Sequence, residues 1–292
     1  MKRLLVSVLL AGAAAGASAG DMLASPAWLK ENLAHPKMVL FHVGTKADFD
    51  KEHIPGAQLV TPQDLSVPRA ESALMMQLLP AAPLREKLQS LGVSDDSRIV
   101  VYFGTDQIYP AARVYLSLDA AGLSDRTSFL DGGLPAWKAA GGAVTDAVKP
   151  IAPGRISMAP RPEVVIELGE LREGMAKANL TIIDARLPEF FDGTNAGAMP
   201  RAGHIPGARN IPFSSLATPD LKMKSEAELG DIFKAAGVKA GDTVASYCHT
   251  GQQATLVYFA AKRLGLKARV YDGSWDEWSR KDELPVETGP VK

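Results

Sequence analysis

The sequence predicts an α/β protein of two tandem domains, each a mainly parallel sheet with helices on both faces. Two observations lead there. A pair of motifs occurs twice in the same order, and within each copy short apolar runs alternate with longer helical ones. The first motif, Phe49-Asp50-Lys51-Glu52-His53-Ile54-Pro55-Gly56-Ala57, recurs in shortened form as Gly203-His204-Ile205-Pro206-Gly207-Ala208. The second, Leu130-Asp131-Gly132-Gly133-Leu134-Pro135-Ala136-Trp137, recurs as Tyr271-Asp272-Gly273-Ser274-Trp275-Asp276-Glu277-Trp278. Matched order and similar spacing mean one duplicated module, with copies at 24–145 and 162–288. The stretch 141–162 carries four prolines and no helical period, so 146–161 is read as a linker lying on the surface.

Within the second copy, 180–183 is a buried strand, 226–236 a helix stopped by Gly237, and 243–247 a strand. A helix over 254–264 stopped by Gly265 and a strand over 268–271 follow. The first copy shows strands at 39–41 and 99–102 and helices at 84–90 and 111–121. Strands alternating with helices imply parallel pairing, and in such sheets reactive groups gather at the carboxyl ends of strands.

The 292 residues are enough for two domains, and 46% hydrophobic content provides for packed interiors. A net charge of -1 offers no overall attraction to nucleic acid or anionic lipid. Lys2 and Arg3, an apolar run over 4–15 and then Ala17-Ser18-Ala19 read as a signal peptide over 1–19, with a mature start near Gly20. The expected location is the periplasm or the medium. The run is shorter than the ~20 residues a spanning helix needs. No cysteine follows the cleavage point to accept a lipid, and no later segment is apolar enough to span, so no stable membrane insertion is expected.

Cys248 is the only cysteine, so no internal disulfide can form. It stands just past the 243–247 strand, outside the apolar run where an inert core cysteine would sit. His249-Thr250-Gly251-Gln252-Gln253 then turn the chain into the next helix, and Gly251 permits a positive φ. A loop entering a helix N-terminus turns several N–H groups inward, where they and the helix dipole stabilise an anion. A metal is not expected, since there is no second cysteine and the histidines lack ligand spacing. No cofactor is called for.

With the paired His-Ile-Pro-Gly-Ala segments, the paired Asp-Gly-x-x-x-x-Trp segments and the cysteine loop, the chain resembles the rhodanese family. The likeness is to its tandem-domain thiosulfate and 3-mercaptopyruvate sulfurtransferases. It implies a catalytic Cys248 in the second domain and an inactive first domain. Aligning strand ends sets His42 against Asp184 and Gly44 against Arg186, and puts 103–107, which has no thiol, in place of the cysteine loop. The resemblance further implies that Arg186, in Asp184-Ala185-Arg186, meets the anionic end of the sulfur donor with its planar fork. Arg201 is a candidate second anion contact, and His249, Thr250, Gly251, Gln252 and Gln253 contact substrate. Related mercaptopyruvate enzymes use the residue matching His53 in a relay with a loop hydroxyl, here Thr250, and an Asp. That Asp position holds His42. His204 and the residues Asp131, Trp137, Asp272 and Trp275 read as structural.

The implied chemistry is double displacement. Cys248 takes sulfur from a small anionic donor, thiosulfate first and 3-mercaptopyruvate second, and gives it to cyanide, a small thiol or a protein thiol. The alternative is a persulfide carrier that serves a protein partner without free turnover. Cysteine phosphatases share the loop-before-helix arrangement but need an Arg at its far end. That place holds Ala254, and the next Arg is Arg263.

Overall fold

A computed structural model describes residues 21–290, so the segment read as a signal peptide lies outside the described residues. The first module runs β1 (Leu23–Ala24), α1 (Pro26–Asn32), β2 (Met38–Val43), α2 (Lys46–Lys51), β3 (Ala57–Val60), α3 (Ala81–Ser90), β4 (Arg98–Phe103), α4 (Tyr109–Ala120), β5 (Thr127–Leu130) and α5 (Gly133–Ala139). The second repeats it: β6 (Val165–Ile166), α6 (Leu168–Gly174), β7 (Leu180–Asp184), α7 (Pro188–Phe191), β8 (Arg209–Asn210), α8 (Glu226–Ala235), β9 (Thr243–Tyr247), α9 (Ala254–Arg263), β10 (Lys267–Tyr271) and α10 (Ser274–Ser279).

Each module holds a five-stranded sheet, ordered β1-β5-β4-β2-β3 in one and β6-β10-β9-β7-β8 in the other. All strand pairs are parallel. The central strands are near-continuous apolar runs because helices cover both faces. Their side chains alternate between two cores. Phe41, Val101 and Phe103 point to one, and Leu40, Val100 and Tyr102 to the other. In β9, Val244 joins the first kind of core, while Ala245 and Tyr247 join the second.

The first kind of core is common to both modules. Helices α4 and α9 lie against each other there, with the Tyr115 ring edge-on to Phe259 at 4.9 Å and Phe129 tilted against Phe259 at 5.4 Å. Asp119 of α4 is fully buried at this seam. It accepts from Tyr258 Oη at 2.5 Å, from Arg161 Nη1 at 2.8 Å and from Lys262 Nζ. Each module also sends a strap to the other. Leu78 N donates to Asp272 Oδ2 at 2.6 Å, and Met223 N donates to Asp131 Oδ1 at 2.9 Å. Both straps bend at a non-glycine residue of positive φ two positions earlier, Met76 (63°) and Leu221 (59°).

The linker is held more firmly than its composition suggests. Gly154 N donates to Gln89 O at 2.8 Å, Asp95 N to Arg155 O at 3.1 Å, and Ile156 is buried in the shared core. Among the described residues, no helix is long and apolar enough to cross a membrane.

His42 of β2 occupies the strand-end place that Asp184 holds in β7, each paired with a tyrosine of the neighbouring central strand. It is fully buried, and its Nδ1 lies 3.2 Å from Tyr102 Oη. Its Nε2 fills the space where a Cβ on Gly44 or Gly104 would sit, 2.8 and 2.1 Å away, so glycine is required at both. Burial, then the nearby His53, lower its pKa from 6.5 to about 4 against the opposing pull of Asp48. The unfolded chain therefore takes up this proton first. The stability that His42 contributes is complete above pH ~6.5 and drains away as the pH falls towards ~4, by about 3 kcal/mol. Urea midpoints measured across this window should fall less steeply in His42→Gln than in the wild type. Equal slopes would count against the assignment.

Candidate active site

Tyr247 ends β9 by turning into the second core, where its hydroxyl accepts from Ile205 N at 3.1 Å. The next side chain, Cys248, faces the core shared by the modules and is 1% exposed. Backbone bonds lay the start of the loop along the head of α10. Trp275 N donates to Cys248 O and Asp276 N to His249 O, both at 2.9 Å. Cys248 N donates to Ser274 Oγ at 3.2 Å, and that hydroxyl donates to Tyr271 O at 2.8 Å. Ser274 holds a φ of 51°, unusual for a residue with a Cβ.

Beyond Cys248, the backbone N–H groups of His249, Thr250, Gly251, Gln252 and Gln253 donate to no protein acceptor among the described residues. Consecutive donors left unspent at the head of a helix favour an anion beside the thiol. Gly251 has a φ of 78°, and a Cβ there would meet Asp272 O at 3.0 Å. Thr250, Gln252 and Gln253 are half-buried on this loop.

Two aromatic pairs pack nearby. Phe190 of α7 stands edge-on to His249 at 4.6 Å, and Tyr109, at the head of α4, stands edge-on to Phe213 at 5.2 Å. Thr255 Oγ1 donates to Tyr109 O at 3.4 Å, which sets this first-module residue against the start of α9, and burial above all pushes its hydroxyl pKa up. His249 has a lowered pKa, first through burial and then through the charge of Arg186, while Asp184 and Gln253 oppose. Both effects hold the imidazole towards its neutral form.

The arginines differ from their expected roles. Arg186 is 1% exposed. Its Nε lies 3.0 Å from Asp184 Oδ1, its Nη2 donates to Asp184 Oδ2 at 2.5 Å and to Gly203 O at 2.7 Å, and its guanidinium lies over the Trp275 ring at 4.7 Å. With its fork given to Asp184, it reaches the thiol loop only as a field. Arg201 caps the end of α10 instead. Its three nitrogens donate to the carbonyls of Trp278, Ser279, Lys281 and Leu284 at 2.7–3.0 Å. Sequence spacing put both near the site, but four carbonyls and one carboxylate outcompete a ligand for them.

His53 and His204 do the same structural work. Their Nδ1 atoms lie 2.8 and 2.7 Å from the carbonyls of Phe49 and Phe191, on whose rings they stack at 3.9 and 3.7 Å. The first module's counterpart of the thiol loop is closed. Tyr102 Oη accepts from Ile54 N as Tyr247 Oη does from Ile205 N, which sets Phe103 in the place of Cys248 and Gly133 in that of Ser274. A Cβ on Gly133 would lie 2.6 Å from the Phe103 ring. Sequence reading passed over Ser274, Tyr109, Phe190 and Phe213. Only Ser274 carried a signal, as the hydroxyl in a repeat position that is glycine in the first copy.

A family model described as a rhodanese-like domain matches residues 25–140 and again 167–281. The chain belongs to the rhodanese family. Among the relatives of this rhodanese is a probable 3-mercaptopyruvate sulfurtransferase of Pseudomonas aeruginosa, 34% identical and covering 82% of this chain and 86% of that one. Another is a putative thiosulfate sulfurtransferase of Synechococcus elongatus, 31% identical over 98% of this chain and 93% of that one. The crystal structure of a 3-mercaptopyruvate sulfotransferase from Escherichia coli superposes with a TM-score of 0.77 at 26% identity, covering 87% of this chain and 98% of that one. The chain is a rhodanese-type sulfurtransferase, a class that moves sulfur from a donor to a thiol acceptor.

Because Arg186 and Asp184 neutralise each other out of water, Arg186→Met should strand a buried carboxylate and cost about 3–5 kcal/mol. Replacing both together should recover part of that loss in urea denaturation. An Arg186→Met chain of unchanged midpoint and raised KM would restore the donor-binding role.

Proposed function

We propose that this rhodanese transfers sulfane sulfur from thiosulfate through a persulfide on Cys248. The carrying observation is the placement of the thiol: it precedes five unspent backbone donors at the head of α9. In the first step the Cys248 thiolate attacks the outer sulfur of thiosulfate. The S–S bond of the donor breaks, sulfite leaves with its electron pair, and Cys248–S–S⁻ remains. In the second step cyanide or a thiolate attacks the terminal sulfur, and the electron pair of that S–S bond returns to Cys248. Charge balances in both steps without a cofactor.

Thiosulfate is favoured over 3-mercaptopyruvate on the chemistry of the two heads. Thiosulfate concentrates its charge on one compact group that loop amides can hold. The carboxylate of mercaptopyruvate calls for a separate planar partner, and Arg186 and Arg201 are both committed elsewhere. A thiol 1% exposed suits small donors and acceptors better than a docked protein, which favours turnover over the carrier reading.

Incubating the mature protein with thiosulfate should add the mass of one sulfur atom, removable by cyanide, and Cys248→Ser should lose both adduct and turnover. Full activity in that variant would end the proposal. Turnover confined to a protein acceptor would instead favour the carrier. A parallel run with 3-mercaptopyruvate ranks the donors.

The protein is further proposed to be exported. The support is Lys2 and Arg3, the apolar run over 4–15 and Ala17-Ser18-Ala19. N-terminal sequencing of material from the periplasm or medium should read from near Gly20. A cytoplasmic chain retaining Met1 would refute export.

A further inference from the structure

Arg113 lies in α4 of the module that has no thiol, yet it touches the thiol loop of the other. It is fully buried. Its Nη1 donates to Asp272 Oδ1 at 2.6 Å and to Gly251 O at 3.2 Å, and its Nη2 donates to Met76 O. It follows Phe103 at the distance by which Tyr258 follows Cys248, so the two helices carry different groups at matching places. Tyr258 reaches only Asp119, away from any loop.

The contact with Gly251 exceeds what the interface itself requires. Asp272 is already bound by the strap through Leu78 N, and an ion pair with Asp272 alone would satisfy the guanidinium's charge. The extra bond falls on the one loop residue with positive φ, whose conformation points its carbonyl out of the loop towards the first module. The described residues have no cis peptides, so the Gln252 N–H of the same peptide points the opposite way. A carbonyl drawn on by a cation makes the N–H of its own peptide a stronger donor. That N–H has no acceptor among the described residues.

We propose that Arg113 is a positioning residue for sulfur transfer: by clamping the Gly251 carbonyl from the opposite module, it fixes and polarises the Gln252 N–H, one of the unspent donors of the Cys248 loop. The proposal rests on the reading of Cys248 as the sulfur carrier. It gives the thiol-free module a part in the chemistry beyond walling the site.

The test compares Arg113→Met and Arg113→Lys with Arg161→Met in the mature chain. Arg161→Met breaks the bridge to Asp119 at the same interface without touching the loop. Thermal midpoint, kcat and KM for thiosulfate, and the pH profile of Cys248 alkylation by iodoacetamide are measured on each. Arg113→Met should lower kcat about tenfold or more, the scale of one charge-assisted hydrogen bond. KM should hold within about twofold, since the clamp is set behind the loop. The alkylation profile should be displaced, and Arg113→Lys, one nitrogen spanning less, should recover part. Arg161→Met should lose thermal stability and keep both kcat and profile. Arg113→Met with wild-type kcat and profile, or Arg161→Met with equal losses, overturns the proposal. If Arg113→Met does not fold, Arg113→Lys decides by the same profile. Alkylation needs no donor, so it remains decisive even if the wild type turns over no donor, an outcome that would instead sink the functional reading.

Discussion

The packing of α4 against α9 is the constraint from which the rest follows. Each sheet is covered on its inner face by its own helix, α4 or α9, and the two helices then cover each other. Burying Tyr115, Phe129 and Phe259 in common stabilises by roughly 1.5–3 kcal/mol per side chain. The same contact delivers Tyr109 to the mouth of the thiol loop and encloses Asp119 among Arg161, Tyr258 and Lys262. A carboxylate so deeply placed is tolerable only with those partners. The site is thus assembled by the interface rather than presented by one module.

Electrostatics in the site are carried by peptides more than by side-chain cations. Arg186 and Arg201 are spent on structure, and His249 is held towards its neutral form. What remains beside the thiol is the row of loop N–H groups, fixed in the fold before any donor arrives. Groups of this kind need no reorganisation when charge develops on sulfur. Arg186 still matters at one remove. Bidentate to Asp184 and laid on Trp275, it locks the end of β7 against the head of α10, where the loop is anchored.

The duplicated α/β fold was legible because its signals are long. The central strands and α3, α4, α8 and α9 each carry enough apolar residues to set a period, and they stand within a few residues of where the sequence puts them. The edge strands β1, β6 and β8 have two residues each and no period to read. The place of Cys248, after a strand and before a helix, was legible from the sequence. The fate of Arg186 was not, although a clue existed. Residues two apart along a strand-like backbone share a face, so Asp184 is the nearest competitor for the fork. Arg201 and Arg113 had no such clue, since their partners lie far along the chain or in the other module. Ser274 acts through a hydroxyl and a backbone angle together, and residue type encodes only the first.

The straps are reciprocal. Leu78 reaches Asp272 as Met223 reaches Asp131, each two residues beyond a left-handed bend. A contact in which one patch meets its own counterpart is the mark of a two-fold homodimer. The two modules therefore meet as the subunits of such a dimer would, with a peptide linker in place of mass action holding the pair together. In a true homodimer every substitution strikes both halves at once. Halves joined in one chain are free of that bond and can differ: Phe103 and Gly133 stand in one where Cys248 and Ser274 stand in the other.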